Sequence, residues 1–235
     1  MFKHGTFPPN RAVRQFRRVM QVPYQVVAYF SVELDSYKLF IEMSERNWIE
    51  ESERYTSSIL EDDEPTLHRF NYRNDLASKL NDEFPQYQRK SYLIMLVSIF
   101  EDFMNQLCRS VEADLDIKAS FTDFTGSGIE RAKQYLSKLS TLSLPVSGKE
   151  WKQIKDAQAI RNVIAHAAGH IDKKAHAKQL KIIDCNDNLE AEYYVRTHLN
   201  IDSEYVFNLV TAMKGFTDKL LAEFEKLPNK KINKD

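Results

Sequence analysis

The sequence predicts an all-α protein, a bundle of four to five helices with a minor β-hairpin before the last one. Three observations carry this. Apolar residues recur at three- and four-residue spacing through most of the 235 positions, the period of helices with one buried face. Glycines and prolines number only six and seven, so few breaks interrupt those stretches. Strand-forming character is confined to one region, residues 180–195.

Residues 1–23 read as a basic arm. Lys3, Arg11, Arg14, Arg17 and Arg18 stand there with no acid, and Pro8, Pro9 and Pro23 interrupt it. Such a run is either a solvated, loosely ordered segment or an electrostatic handle on nucleic acid or an acidic neighbour. One helical domain follows over 24–228, and the polar tail 229–235 is expected to fray. From Tyr24 to Leu60 the helical stripe is Val27, Phe30, Leu34, Tyr37, Phe40 and Ile41. Glu61-Asp62-Asp63-Glu64-Pro65 should end that helix in a turn, and Leu67 to Phe84 is a weaker helix or part loop.

Pro85 suits a first helical turn and opens a strong helix through about Val111. Its middle is apolar nearly all round, which places it at the centre of the bundle. Asp123–Gly128 is a loop and Ile129–Leu139 a short helix. Trp151–Ile171 is the next helix, with Gly169 placed to end it in a left-handed cap. A basic stretch, Ile171–Lys181, leads to Asn186-Asp187-Asn188, which is expected to turn a hairpin between its two flanking runs. Ser203 is positioned to cap a final helix reaching Leu227, with Tyr205, Leu209, Met213, Phe216, Leu220 and Phe224 as its stripe.

Composition sets outer bounds. A content of 43% hydrophobic and 29% charged residues describes an ordinary globule long enough to bury a real core. The net charge of −1 gives no global field toward nucleic acid, so any such affinity must be local. Cys108 and Cys185 lack metal or redox spacing and read as reduced thiols. The first ten residues carry no apolar signal region, and the longest apolar run, Tyr92–Phe100, is too short to span a bilayer. A soluble, cytoplasmic protein with no membrane partner is expected.

No glycine-rich phosphate loop, zinc spacing or nucleophile elbow is present in the sequence. His166 and His170 have the i, i+4 spacing that would put two imidazoles on one helix face. No nearby carboxylates or cysteines complete such a site, so neither a metal nor another cofactor is expected. The stronger constellation is Arg161, Asn162 and His166. Arg161 falls at the edge of the apolar arc of its helix, while Asn162 and His166 share a neighbouring face. Gln158, Ala165 and Gly169 line the lane between them, leaving a shallow strip that a phosphate or a second helix can approach. An Arg five residues before a His arises by chance roughly once in three chains of this composition, and roughly once in fifty when Asn must follow the Arg. Glu101 and Asp102, inside the apolar helix, admit two readings. Both lie on its exposed side, or Glu101 turns inward and holds a basic partner such as Arg161, because a buried carboxylate needs a counter-charge.

The segment RNVIAH, residues 161–166, resembles the Arg-polar-x3-His signature of HEPN domains, the higher-eukaryote and prokaryote nucleotide-binding group. The surroundings agree: SIFEDF in an apolar helix, then GIERAKQYL, then the signature, a glycine and a last amphipathic helix. The resemblance covers roughly Tyr24 to Leu227, and only its central motif is specific. It implies a metal-independent endoribonuclease, a toxin or antiviral effector that works as a homodimer with both motifs in one cleft. By that resemblance Arg161 and His166 carry catalysis and Asn162 supports it, while Glu101, on the inward reading of its helix, stands behind Arg161. Some family toxins have a tyrosine two residues after the histidine. Ala168 stands there in this chain, so chemistry tied to that tyrosine is in doubt.

The chemistry suits RNA as a partner. An imidazole exchanges protons near neutral pH, a guanidinium holds non-bridging phosphate oxygens at two points, and RNA brings its own 2′-hydroxyl. Lys152, Lys155, Lys173 and Lys174 flank the motif and are candidates to hold the phosphate backbone, against the plainer reading of solvated surface lysines. A toxic nuclease also implies an antitoxin or regulatory partner. The alternative is a non-catalytic helical interaction module, or a nucleotide-binding one, in which Arg161 and Asn162 make structural hydrogen bonds.

Overall fold

The computed structural model describes residues 16–18, 20–60, 76–140, 142–193 and 196–231. The fold is all-α, with a small antiparallel hairpin before the last helix. In chain order it runs β1 (Phe16–Arg18), α1 (Gln21–Leu60), α2 (Leu76–Ser78), a π turn (Lys79–Glu83) and α3 (Phe84–Asp114). After a 3-10 turn at Phe121–Asp123 come α4 (Gly128–Leu139), α5 (Lys149–Ala167) and α6 (Ala177–Asp184). The chain closes with β2 (Leu189–Tyr193), β3 (Thr197–Ile201), α7 (Ser203–Glu225) and β4 (Asn229–Lys231).

α3 is the centre, as its apolar composition requires, and it packs against α1, α4, α5 and α7. Leu93, Leu96, Val97, Phe100, Met104 and Leu107 on it have no exposed surface. Phe100 meets four other rings, those of Phe30, Phe103, Trp151 and Phe216, with centroids 5.4 to 6.4 Å away. These come from α1, α3, α5 and α7, so one side chain joins four helices. α1 runs 40 residues, roughly 60 Å at 1.5 Å per residue. One face, including Val27, Phe30, Leu34 and Ile41, is buried, while Tyr29, Val32, Leu39, Phe40 and Met43 form an exposed apolar row on the other. Phe40, expected in the buried stripe, is 51% exposed, although its ring still rests edge-on against Tyr92.

The helix boundaries carry several corrections with physical causes. Pro85 does not open a new helix, because the chain is already helical from Leu76. Proline lacks an N–H and its ring crowds the preceding turn, and the π turn widens the helix just ahead of it. Asn186-Asp187-Asn188 does not turn the hairpin. The run before it is α6, and Asn186 Oδ1 accepts from Asn188 N at 3.0 Å to link helix to strand. The hairpin instead pairs Leu189 with Ile201 through Tyr193 with Thr197. Asp202, one residue before the expected Ser203, caps α7 by accepting from Glu204 N at 2.8 Å.

The chain ends do more than fray. β1 pairs antiparallel with β4, Phe16 opposite Lys231 and Arg18 opposite Asn229. α1 and α7 are antiparallel, with Tyr24 edge-on to Phe224, so the segments before one and after the other emerge side by side. The rest of the basic arm (Lys3, Arg11 and Arg14), the acidic turn Glu61–Pro65 and residues 232–235 lie outside the described residues.

α5 and α7 are clasped by Lys219 Nζ on Glu150 Oε2 at 2.6 Å. That ammonium, then the residue's own backbone N–H, hold the Glu150 carboxyl below its ordinary 4.5. The folded state therefore binds this proton less tightly than the unfolded chain. The stabilisation is fully present above pH 4.5 and disappears as the pH falls through the lower folded value. Lys219→Met should flatten that part of an acid-denaturation curve. Truncating the central ring, Phe100→Ala, should cost about 3 to 5 kcal/mol in urea unfolding.

Candidate functional site

α5 begins after Gly148 and carries Trp151, Ile154, Ala157, Ile160, Val163 and Ile164 into the core. That buried arc fixes where its polar residues point. Asn162, Ala165 and His166 are exposed, while Arg161 sits at the margin with 20% of its side chain exposed. Five residues turn a helix through about 140° net, so Arg161 and His166 border the two sides of an open lane, with Ala165 between them.

Arg161 is held from α3. Its Nη2 lies 3.3 Å from Glu101 Oε2, joining residues expected as possible partners, while Asp102 points outward and accepts from Gln106 at 2.6 Å. The pair is single-pronged, and Arg161 Nε is buried with no partner. The Glu101 carboxylate is itself pinned by Gly128, the first residue of α4. Gly128 has φ +54°, and a Cβ there would overlap the Glu101 carboxylate. Three elements thus meet near one ion pair: α3 supplies the acid, α5 the guanidinium, and α4 a glycine whose positive φ and missing side chain both suit its place beside the carboxylate.

The lysines separate. Lys155 is not free, since it contacts Glu130 Oε1 at 2.8 Å and also donates to Gln158, so its expected backbone-binding role gives way to a tie between α4 and α5. That contact draws the Glu130 carboxyl below its ordinary range. Lys152, Lys173 and Lys174 are exposed. Lys174 offers its backbone N–H to Asp172 Oδ1 at 2.9 Å within the turn after α5.

His166 and His170 do not share a helix face. The left-handed cap begins at Ala168 (φ +50°), one residue before the glycine expected to make it, and continues through Gly169 (φ +79°). The Gly169 N–H returns to Val163 O at 3.2 Å, closing the helix end. The chain then leaves the helix axis, and His170 joins the hairpin as an isolated bridge to His198. Among the described residues no group of three or more His, Cys, Asp or Glu could hold a metal ion. No helix there is long and apolar enough to cross a membrane. Cys108 is buried, donating weakly to Ala132 O at 3.7 Å, and burial pushes its thiol up to about 12, while Cys185 is exposed.

A wide groove lies elsewhere. About 580 Å³ lies between α1 and α3, lined largely by apolar side chains such as Val22, Tyr29 and Phe103 with Glu33 and Asp102 at its rim. It offers no imidazole and no cation, so the chemistry points to the α3–α5 lane instead. Compared with protein-family models, curated proteins and solved structures, the chain has no match.

Sequence reasoning did not single out Lys90 and His198. Lys90 Cε and Nζ come 3.8 and 3.9 Å from where a Cβ on Gly169 would stand. His198 meets the His170 ring edge-on at 4.4 Å between centroids. A lone Lys on a helix and a lone His in a strand carry no local signal, and only the tertiary fold makes them neighbours.

The Gly128–Glu101 contact predicts that Gly128→Ala loses more than the roughly 1 to 2 kcal/mol of left-handed strain. In a Glu101→Ala background the same change should cost measurably less. Equal losses in both backgrounds, measured by chemical denaturation, would show that the carboxylate does not press on this position.

Proposed function

We propose that this chain is a metal-independent endoribonuclease acting as a homodimer, with Arg161 and His166 as its catalytic side chains and Asn162 supporting them. One observation carries the reading: His166 stands exposed on the last turn of α5, across an open small-residue lane from a guanidinium whose orientation α3 fixes. The resemblance of RNVIAH to the HEPN signature supports the same assignment.

The chemistry requires two proton movements. The ribose 2′-oxygen forms a bond to the adjacent phosphorus as its proton passes to a neutral imidazole, and the bond from phosphorus to the 5′-oxygen breaks. That leaving oxygen takes a proton from a second, protonated imidazole, giving a 2′,3′-cyclic phosphate and a 5′-hydroxyl. Each RNVIAH motif supplies one imidazole, so the reading calls for a two-fold dimer that brings two lanes together. Arg161 takes the charge that gathers on the non-bridging oxygens, and a guanidinium preset by Glu101 needs little reorganisation to do so. Lys152, Lys173 and Lys174 remain as backbone contacts in this proposal. A nuclease of this kind fits a cytoplasmic toxin or antiviral effector restrained by an antitoxin or regulatory partner.

A second reading is favoured by the Arg161–Glu101 contact, in which the arginine is a structural clip in a non-catalytic interaction or nucleotide-binding module. The two readings separate in one experiment. Cleavage of mixed RNA in EDTA should fall by about 10²–10⁴-fold in His166→Ala, and by a comparable factor in Arg161→Ala, with helical circular dichroism unchanged in both. End-group analysis should find cyclic phosphate. Intact RNA with the wild type, together with a lowered melting temperature in Arg161→Ala, would select the structural clip.

A further inference from the structure

Past the end of α5 lies a second cluster drawn from three elements. Lys90 comes from α3, His170 from the turn after α5, and His198 from β3. Their meeting is fixed by backbone bonds. Gln86, one turn before Lys90, treats β3 as a neighbouring strand, accepting from Ile201 N at 2.9 Å and donating to Ile201 O at 3.0 Å. Arg89 adds Nη1 to the same carbonyl at 3.3 Å. On the other side Leu199 N donates to Gly169 O and Ile171 N to Thr197 O, each at 2.9 Å. β3 is thereby clamped between the start of α3 and the end of α5, with His198 held over the seam.

The cluster has several donors, and among the described residues Glu192 is the one acid that acts on it. Among the described residues Lys90 makes no hydrogen bond or ion pair, although it is half-buried. His170 Nδ1 is sealed from solvent without a partner, leaving Nε2 as its free nitrogen. Arg196 adds a positive field at His198. Glu192 is the acid acting on His198, and its Oε2 already accepts from Asn200 at 2.7 Å. Burial lowers the proton affinity of Lys90. Burial first, then His170, Lys90 and Arg196, lowers that of His198. A buried cation without a partner is costly, and an anion placed among these groups removes that cost. A cation placed there would add to it. Donors converging from three directions suit the several oxygens of a phosphate better than the planar edge of a carboxylate.

We propose that Lys90, His170 and His198 form a phosphate-binding subsite, past the end of the helix that carries His166, that holds the backbone of bound RNA. The assignment rests on the nuclease reading for its occupant, though its ligand chemistry stands on the cluster alone. The subsite grips a phosphodiester next to the cleaved one and fixes the strand's register, so it serves binding rather than the reacting atoms. Gly169, in the left-handed region at φ +79°, ends the helix beside the Lys90 stem and brings the His170 backbone alongside it.

The test uses the full chain and needs no cleavage. Imidazole nitrogen shifts of His170 and His198 are followed by NMR during titration with inorganic phosphate. Affinity for a 2′-O-methyl oligoribonucleotide, which cannot be cut, is measured by fluorescence anisotropy across salt concentrations. Phosphate should move both histidines saturably, and Lys90→Gln should abolish the response. For the oligoribonucleotide, Lys90→Gln should weaken binding alike for different sequences and reduce the log K against log salt slope by about 1. Lys90→Met keeps the stem over Gly169 and should behave the same way, separating charge from packing. Unmoved histidines would overturn the subsite. A phosphate response with an unchanged salt slope would overturn RNA as its occupant. If phosphate and oligoribonucleotide both bind through Lys90 while the wild type cuts no RNA, the nuclease reading falls and the subsite stands.

Discussion

A helix that is apolar around most of its circumference has to be covered on every side, and α3 imposes that demand on the whole chain. α1, α4, α5 and α7 all lie against it, and the Phe100 ring cluster marks where the covering elements converge. Burial on this scale is the largest favourable contribution a chain of this size has. It also limits where polar groups can go. α3 carries Lys90 and Glu101 eleven residues apart, just over three full turns, so both emerge along the same seam toward α5. The charge arrangement of the lane is thus a by-product of how the core is packed.

The two ends of that seam are electrostatically unlike. At one end Glu101 meets Arg161 and the charges balance, with Gly128 closing the space around the carboxylate. At the other, an ammonium and two imidazoles gather, and the one acid acting there, Glu192, is already engaged by Asn200. Pairing fixes geometry and reduces appetite for ligands, whereas an unpaired cluster in a low-dielectric margin seeks a counter-ion. A single-pronged contact at 3.3 Å leaves part of the Arg161 guanidinium free for a phosphate oxygen, so the balanced end still has a donor to offer.

The hairpin shows how a minor element acquires importance. Five residues of β3 pair with β2 on one edge and are held by Gln86 and Gly169 on the other. Edge backbone groups that would otherwise be left unsatisfied find partners on α3 and on the turn after α5. The same constraint turns His170 out of α5 and toward His198. An i, i+4 histidine pair in the sequence becomes an i, i+4 pair in space only while the helix lasts, and here it stops at Ala167.

The amino-acid sequence by itself determined the helical architecture, the central place of α3, the stripe of α7 and the exposure of Asn162 and His166. Each follows from periodicity, which needs only the geometry of one helix. It misplaced the hairpin turn, because Asn-rich connectors serve helix ends as readily as strand reversals, and it missed the π turn that eases Pro85 into a continuing helix. It left Lys155 free and Glu101 undecided. Only the tertiary structure settled that Lys155 answers Glu130, that Glu101 reaches Arg161, and that Lys90 and His198 share a space. The physical reason is that charge pairing and clustering depend on distance between elements, and no pattern along one element encodes the distance to another.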